Sequence, residues 1–240
     1  MTVRFATAAI VTLLAGACHV TADAEERDPG PQVTRSYQVG AFDKLAVAGP
    51  YEVNVVTGGK GGITAKGGEN LLAETDVVVE GDTLKIMPKK HKGIRWSWKS
   101  GKAVFTVNAA ALHGASIAGS GGVNVDKVDG DFDGDVAGSG DLKVNGISGG
   151  KVKLSIAGSG NVDAAGKADS VDLSIAGSGD LRAGGLASRS ADISIAGSGN
   201  VAANASDSAD VSIMGSGDVE VTGGAKCKVS KAGSGNVRCG

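Results

Sequence analysis

The chain has 240 residues, a formal net charge of -2, 40 glycines and 3% aromatic residues. So balanced and slightly acidic a composition gives no electrostatic footprint for nucleic acid, which is set aside as a partner. Beyond the first 17 residues no apolar run is long enough to cross a bilayer as a helix.

Residues 1–17 read as a secretory signal. Arg4 supplies the positive charge, Phe5 to Ala15 the apolar stretch, and Ala15-Gly16-Ala17 the small-residue cleavage pattern. Cys18 follows at once. Leu13-Leu14-Ala15-Gly16-Ala17-Cys18 resembles a bacterial lipobox, in which the cysteine becomes the lipidated first residue. That family prefers a larger aliphatic residue where Ala15 stands, and ordinary cleavage after Ala22 or Ala24 is the competing reading. Residues 18–35 are polar, contain Pro29 and Pro31, and read as a flexible tether. The expected location is exported: periplasm, outer membrane or cell surface, held to the membrane by a lipid anchor.

Residues 36–240 read as one domain in two parts. From 36 to 107 strands are expected without a regular repeat. Lys44 to Ala48, Tyr51 to Val56, Thr75 to Glu80 and Thr83 to Pro88 alternate, and Gly81-Asp82 is a hairpin turn between the last two. This part holds nearly all the aromatic residues outside the leader and is expected to supply a bulkier core. It also contains Lys89, Lys90, His91, Lys92, Arg95, Trp96, Trp98, Lys99 and Lys102. Basic residues interleaved with aromatics suit an anionic glycan or a lipid headgroup, which makes Arg95, Trp96, Trp98 and Lys99 candidate binding residues. The structural alternative is a solvated hairpin whose tryptophans pack on the end of the domain.

From 108 to 240 the tripeptide Gly-Ser-Gly recurs seven times, starting at Gly119, Gly138, Gly158, Gly177, Gly197, Gly215 and Gly233. A fixed period near 20 residues means one structural unit stacked on copies of itself. Counted from the first glycine, apolar residues fall six, four and two places before it (Val152, Leu154, Ile156) and four and six after it (Val162, Ala164). That alternation is the strand period, so each unit is two short strands with Gly-Ser-Gly at the corner. A less regular second corner follows at Asn145-Gly146, Gly184-Gly185 and Gly223-Gly224. Stacked, the units give an all-β, two-sheet β-solenoid of about seven coils, a rod of roughly 30–35 Å at the strand spacing. Gly49-Pro50 stands where later coils have their corner, so the irregular part is expected to cap this solenoid.

Equal positions form ladders. Three places after the first glycine stand Gly122, Asp141, Asn161, Asp180, Asn200, Asp218 and Asn236. Alternation puts an amide between successive carboxylates, and this row reads as structural. Cys227 and Cys239 occupy the inward places six before and six after Gly233, so a disulfide across the last coil is expected. Lys231 takes an inward place held by isoleucine in other coils, which would discourage end-to-end stacking.

No catalytic constellation is found. His19 lies in the tether, and His91 and His113 have no motif around them. One Gly-Ser-Gly-Asp/Asn corner per coil is too sparse for a calcium roll. Asp141, Asp180 and Asp218 are two coils apart, roughly 9–10 Å, near the upper limit for an inverting carboxylate pair. No cofactor or metal is implied.

The repeats, with Phe42-Asp43-Lys44-Leu45-Ala46-Val47-Ala48-Gly49 and Gly81-Asp82-Thr83-Leu84-Lys85-Ile86, resemble the bacterial head GIN domain family of auto-transporter adhesins. The resemblance covers about residues 36–240. It implies a right-handed parallel β-helix in the envelope or at the surface, without catalytic residues and with adhesion as its role. The expected function is a non-enzymatic envelope or surface binding module, with envelope or host glycans or another surface protein as partner. A carbohydrate-active enzyme on a β-helix and a self-associating structural envelope protein are the alternatives.

Overall fold

A computed structural model describes residues 25–90, 96–98 and 102–240. The regular part is a parallel β-solenoid in the register the repeats dictate. On the first face Lys151–Gly158 pairs with Ser170–Gly177, setting Val152 against Val171, Leu154 against Leu173 and Ile156 against Ile175. On the second face Asn161–Lys167 pairs with Asp180–Gly197, setting Val162 against Leu181. The inward residues of both faces are buried in one continuous core. Beside the second corner runs a short third ladder, in which Val128 stacks on Ile147, Ile147 on Gly166 and Gly166 on Leu186. Most inward side chains stack on an aliphatic counterpart one coil away, so the narrow core fills with aliphatic residues.

The corner requires glycine twice, for two reasons. Gly158 adopts φ +134°, where a side chain would be strained. Gly160 has no positive φ, yet a Cβ there would lie 2.2 Å from the Gly140 carbonyl oxygen of the previous coil. Between them the Ser159 N–H donates to the Gly138 carbonyl at 2.8 Å, and Ser178 repeats this to Gly158 at 2.8 Å. The corners therefore stack backbone on backbone, which only hydrogen substituents permit.

At the N-terminal end the coils are stacked out of chain order. Lys44–Ala48 and Glu52–Thr57 form a coil around the corner Gly49-Pro50-Tyr51, and Gly114–Gly119 and Gly122–Val125 stack on its inner side. Thr83–Pro88 and Val104–Ala109 stack on its outer side, also parallel. The chain thus runs outward, turns back, and re-enters on the other side of its first coil. Beyond the outer strands the pairing becomes antiparallel: Thr75–Glu80 on Thr83–Pro88, Gly62–Gly68 on Val104–Ala109, and Gln32–Tyr37 on Gly62–Gly68.

Between Gly62–Gly68 and Thr75–Glu80 lies the helix Glu69–Ala73, which buries Leu71 and Leu72 at the end of the core. The aromatic residues gather there. Tyr51 occupies the place of a corner's second glycine and meets Phe105 edge-on at 5.6 Å, with Tyr37 6.5 Å from Phe105 on the outer side. The Tyr51 and Thr75 hydroxyls lie 3.0 Å apart, and Thr75 donates to the Leu71 carbonyl at 2.8 Å. Burial pushes the Tyr51 phenol above its ordinary value, with the Thr75 hydrogen bond opposing.

Three segments differ from the reading of the sequence. Val104–Ala109 runs across the 107/108 division and belongs to the stacked ladder. Gln32–Tyr37 begins inside the stretch read as a tether. Just before it, the Pro29 and Pro31 carbonyls accept hydrogen bonds from Asn70 and Glu69 at 2.9 Å each, so this part of that stretch is tied to the domain. A helix of one turn was not expected.

At the C-terminal end, among the described residues, Lys226–Gly233 pairs only with Asn200–Gly215, and Val237–Cys239 only with Val219–Thr222. Cys227 aligns with Ala209 and Cys239 with Val221, and the two form a disulfide with Cα atoms 6.5 Å apart. Lys231 aligns with Ile213 and donates from Nζ to the Gly235 carbonyl at 2.7 Å. Val229 is 47% exposed, so the core is open at this end. No helix among the described residues is long and apolar enough to cross a membrane.

Candidate ligand-binding groove

Two outward rows run along the second face. The first is the Asp/Asn row, and it is spent on itself. Asn161 Nδ2 donates to Asp141 Oδ1 at 2.8 Å, Asn200 Nδ2 to Asp180 Oδ1 at 3.0 Å, and Asn236 Nδ2 to Asp218 Oδ1 at 3.1 Å. The Asp218 N–H donates back to Asn200 Oδ1 at 3.1 Å. Each carboxylate is tied to the asparagine of the next coil. At the N-terminal end the row stops at Gly122, where a Cβ would lie 2.5 Å from a Glu52 carboxylate oxygen. Glu52 itself pairs with Lys102 at 2.9 Å, which raises the Lys102 ammonium above its ordinary value.

The second row lies two residues further along each strand. In stacking order it is Asn54, Asn124, Lys143, Asp163, Arg182, Ala202, Glu220 and Arg238. Its charges alternate except at Ala202. Arg182 is held in place, 3.0 Å from Asp180 and 3.6 Å from Asp163. Over the Ala202 methyl a groove of about 470 Å³ opens between Arg182 and Glu220, with Asp218 and Arg238 on its rim. Among the described residues neither Glu220 nor Arg238 makes a side-chain hydrogen bond or ion pair, although they are register neighbours.

The first face differs. Asp172, Asp192 and Asp210 stack on consecutive coils between Lys153 and Lys228, and of the three, among the described residues, only Asp210 makes an ion pair, with Lys228 at 3.8 Å. A smaller depression of about 220 Å³ lies over Asp192, Asp210 and Lys228, and like charges in this solvated row are screened. Among the described residues no group of three or more His, Cys, Asp or Glu side chains is placed to hold a metal ion. His113 is structural, with Nδ1 3.2 Å from the Asp131 carbonyl.

Of the residues expected to carry function, Cys227 and Cys239 are brought together as the disulfide. Cys18, Arg95 and Lys99 lie outside the described residues. Trp96–Trp98 forms a three-residue strand whose backbone pairs in parallel with Glu25–Arg27; its side chains also lie outside the description. The groove was not singled out from the sequence. Its signal is nonetheless in the repeat alignment: the place five after the first glycine is polar or charged in six coils and alanine in one.

The family model described as "Putative auto-transporter adhesin, head GIN domain" matches residues 41–225. The chain belongs to the head GIN domain family. Several crystal structures share the fold. One, of "a putative adhesin" from Bacteroides fragilis NCTC 9343, has a TM-score of 0.81 at 25% identity and covers 89% of this chain and 99% of that one. Another, of a "putative lipid binding protein" from Parabacteroides distasonis ATCC 8503, has a TM-score of 0.74 at 24% identity, covering 90% and 99%. A third, of "a putative adhesin" from Parabacteroides merdae ATCC 43184, has a TM-score of 0.68 at 22% identity, covering 90% and 99%. No functionally curated protein matches the sequence.

Proposed function

We propose that this head GIN domain protein is an exported, non-catalytic binding module of the bacterial envelope or surface, with adhesion as its role and a lipid on Cys18 as its anchor. The observation that carries the reading is how hydrogen-bonding capacity is distributed on the second face. The Asp/Asn row consumes its own donors and acceptors, so the aspartates two coils apart are ladder rungs rather than a free acid–base pair. Glu220 and Arg238, which make no side-chain hydrogen bond or ion pair among the described residues, both line one groove, which suits contact with a ligand more than bond cleavage. The family's adhesin description and the adhesin-like structural neighbours support the same reading.

The test is retention of the labelled, purified protein on immobilised envelope and host glycans, with the bound glycan recovered and weighed by mass spectrometry. Saturable retention with the glycan unchanged is expected. Release of new reducing ends or unsaturated products would replace the binding reading with the enzymatic one. Mass spectrometry of the mature N-terminus tests the anchor: a diacylglyceryl Cys18 is expected, and a chain starting at Asp23 or Glu25 without lipid would remove it.

A further inference from the structure

We propose that the groove over Ala202 is a saccharide subsite that takes a pyranose bearing a carboxylate, a uronic-acid type of sugar. The proposal deepens the binding reading above and rests on it.

The first support is shape. In a row where each strand otherwise presents a longer polar side chain, Ala202 removes one rung. Arg182 and Glu220 then face each other two strand spacings apart, roughly 9–10 Å between their backbones. A single sugar ring fits across such a gap, and a cavity of about 470 Å³ lies within the usual range for small ligands.

The second support is the chemistry left open. Asn200 is committed to Asp180 and to the Asp218 N–H, so it contributes little to a ligand. Glu220 offers acceptor oxygens only, which suit sugar hydroxyls donating to it. Arg238 is an unspent guanidinium, and Arg182 keeps its side chain 54% exposed while two carboxylates fix its direction. Guanidinium groups bind a ligand carboxylate in a forked, charge-assisted way, and one already oriented loses less freedom on binding. A neutral sugar would leave Arg238 without an anionic partner, while Arg182 keeps Asp180 and Asp163. An inorganic anion alone would leave Glu220 facing it with like charge. A ring with hydroxyls along one edge and a carboxylate on the other satisfies both sides.

The third support is what is absent from the groove. Its floor is a methyl group and its lining contains no aromatic ring, so the stacking platform that tightens many sugar sites is missing. One subsite should therefore be weak, with a dissociation constant on the order of 1 mM. Useful attachment would come from many anchored copies meeting one acidic polymer.

The experiment is a two-dimensional NMR titration of the purified protein with glucuronic acid, glucose and inorganic phosphate in parallel, with Ala202→Arg as the variant. Arginine already occupies this row in the neighbouring coil, so the variant refills the missing rung without disturbing the core. Glucuronic acid is expected to shift the backbone signals of Val201, Ala202, Val219 and Glu220, at least about tenfold more tightly than glucose, and Ala202→Arg to abolish those shifts. Glu220→Gln should weaken glucuronic acid and, with a like charge removed, strengthen any response to phosphate. Equal response to phosphate would reduce the site to a simple anion site and overturn the saccharide assignment. Shifts confined to other parts of the chain, or none with any probe, would overturn the groove itself. The retention assay would still decide the general binding reading, so the two failures are distinguishable.

Discussion

At the N-terminal end the last parallel strands are covered by antiparallel ones, and the Glu69–Ala73 helix and the aromatic residues close the core behind them. At the C-terminal end no described element covers the last coil; Val229 is half exposed and the coil is held by Cys227–Cys239. Between them each coil is templated by its neighbours. A stacked fold has no intrinsic length, so an end must either change the pairing direction or make the last coil unattractive to a successor. This protein uses both. Antiparallel pairing ends the parallel ladder at one end. At the other, Lys231 in an inward place and the basic run Lys226, Lys228 and Arg238 mark the edge with charge.

The contrast can be broken most severely at the cap. Leu72 is almost fully buried where the helix meets the core. Leu72→Ala should cost about 3 kcal/mol in chemical denaturation and expose the aromatic end to a hydrophobic dye. If the loss were under about 1 kcal/mol, the helix would be an ornament rather than a closure.

The next largest effect should come from the disulfide. Cysteine-to-serine change at both Cys227 and Cys239 is expected to cost about 2–3 kcal/mol by loop-closure reasoning. The damage should be local, because a stacked protein frays from an end. Limited proteolysis should clip within 223–240 first and leave the core intact. Early cleavage in the Gly62–Gly68 region would reverse the order of the ends.

A smaller effect is expected in the middle. Asn200→Asp would place three carboxylates in a row at Asp180, position 200 and Asp218, and remove the amide that donates to Asp180. The expected loss is about 1 kcal/mol, shrinking in high salt. The naturally consecutive Asp172, Asp192 and Asp210 show that such a run is tolerated where the row is solvated and ends in lysine. A salt-independent loss would point to geometry rather than charge.

The smallest effect belongs to the hairpin at the cap. The Lys44 hydrogen bond and ion pair at 2.7 Å hold the Asp82 carboxyl below its usual range, and Lys85 does the same for Glu80. A lowered folded value means stability that is present above the unfolded carboxylate range near 4 and lost as pH falls through the folded value. These pairs are exposed, so the melting temperature should fall only slightly in that window, and Asp82→Asn should remove part of that slope.

Much of this was legible in the sequence because a repeat states its register many times. The corner at Gly-Ser-Gly, the inward places and the Cys227–Cys239 pairing all follow from one alignment of copies. Gly49-Pro50 was recognisable as a corner because Ala46-Val47-Ala48 precedes it like Ser116-Ile117-Ala118. The cap was less legible. Gly62–Gly68 and Gln32–Tyr37 pair antiparallel and copy no neighbour, and the five-residue helix is too short to show a period. The swap that places Thr83–Pro88 and Val104–Ala109 outside Lys44–Ala48 and Glu52–Thr57 leaves no mark in composition. The groove is the opposite case: Ala202 is visible in the alignment, but only the stacked geometry turns a missing side chain into a cavity.

Hydrogen exchange resolved along the chain, with the disulfide intact and then reduced, tests the contrast of the ends most directly. Among the described residues, slow exchange is expected in the paired strands from Lys44 to Pro88 and from Val104 to Thr222, with faster exchange over 226–240. Reduction should spread the fast region inward by one coil and leave the cap unchanged. Fast exchange in Thr83–Pro88 and Val104–Ala109, or a reduced protein that opens along its whole length, would contradict a rod sealed by packing at one end and by a covalent bond at the other.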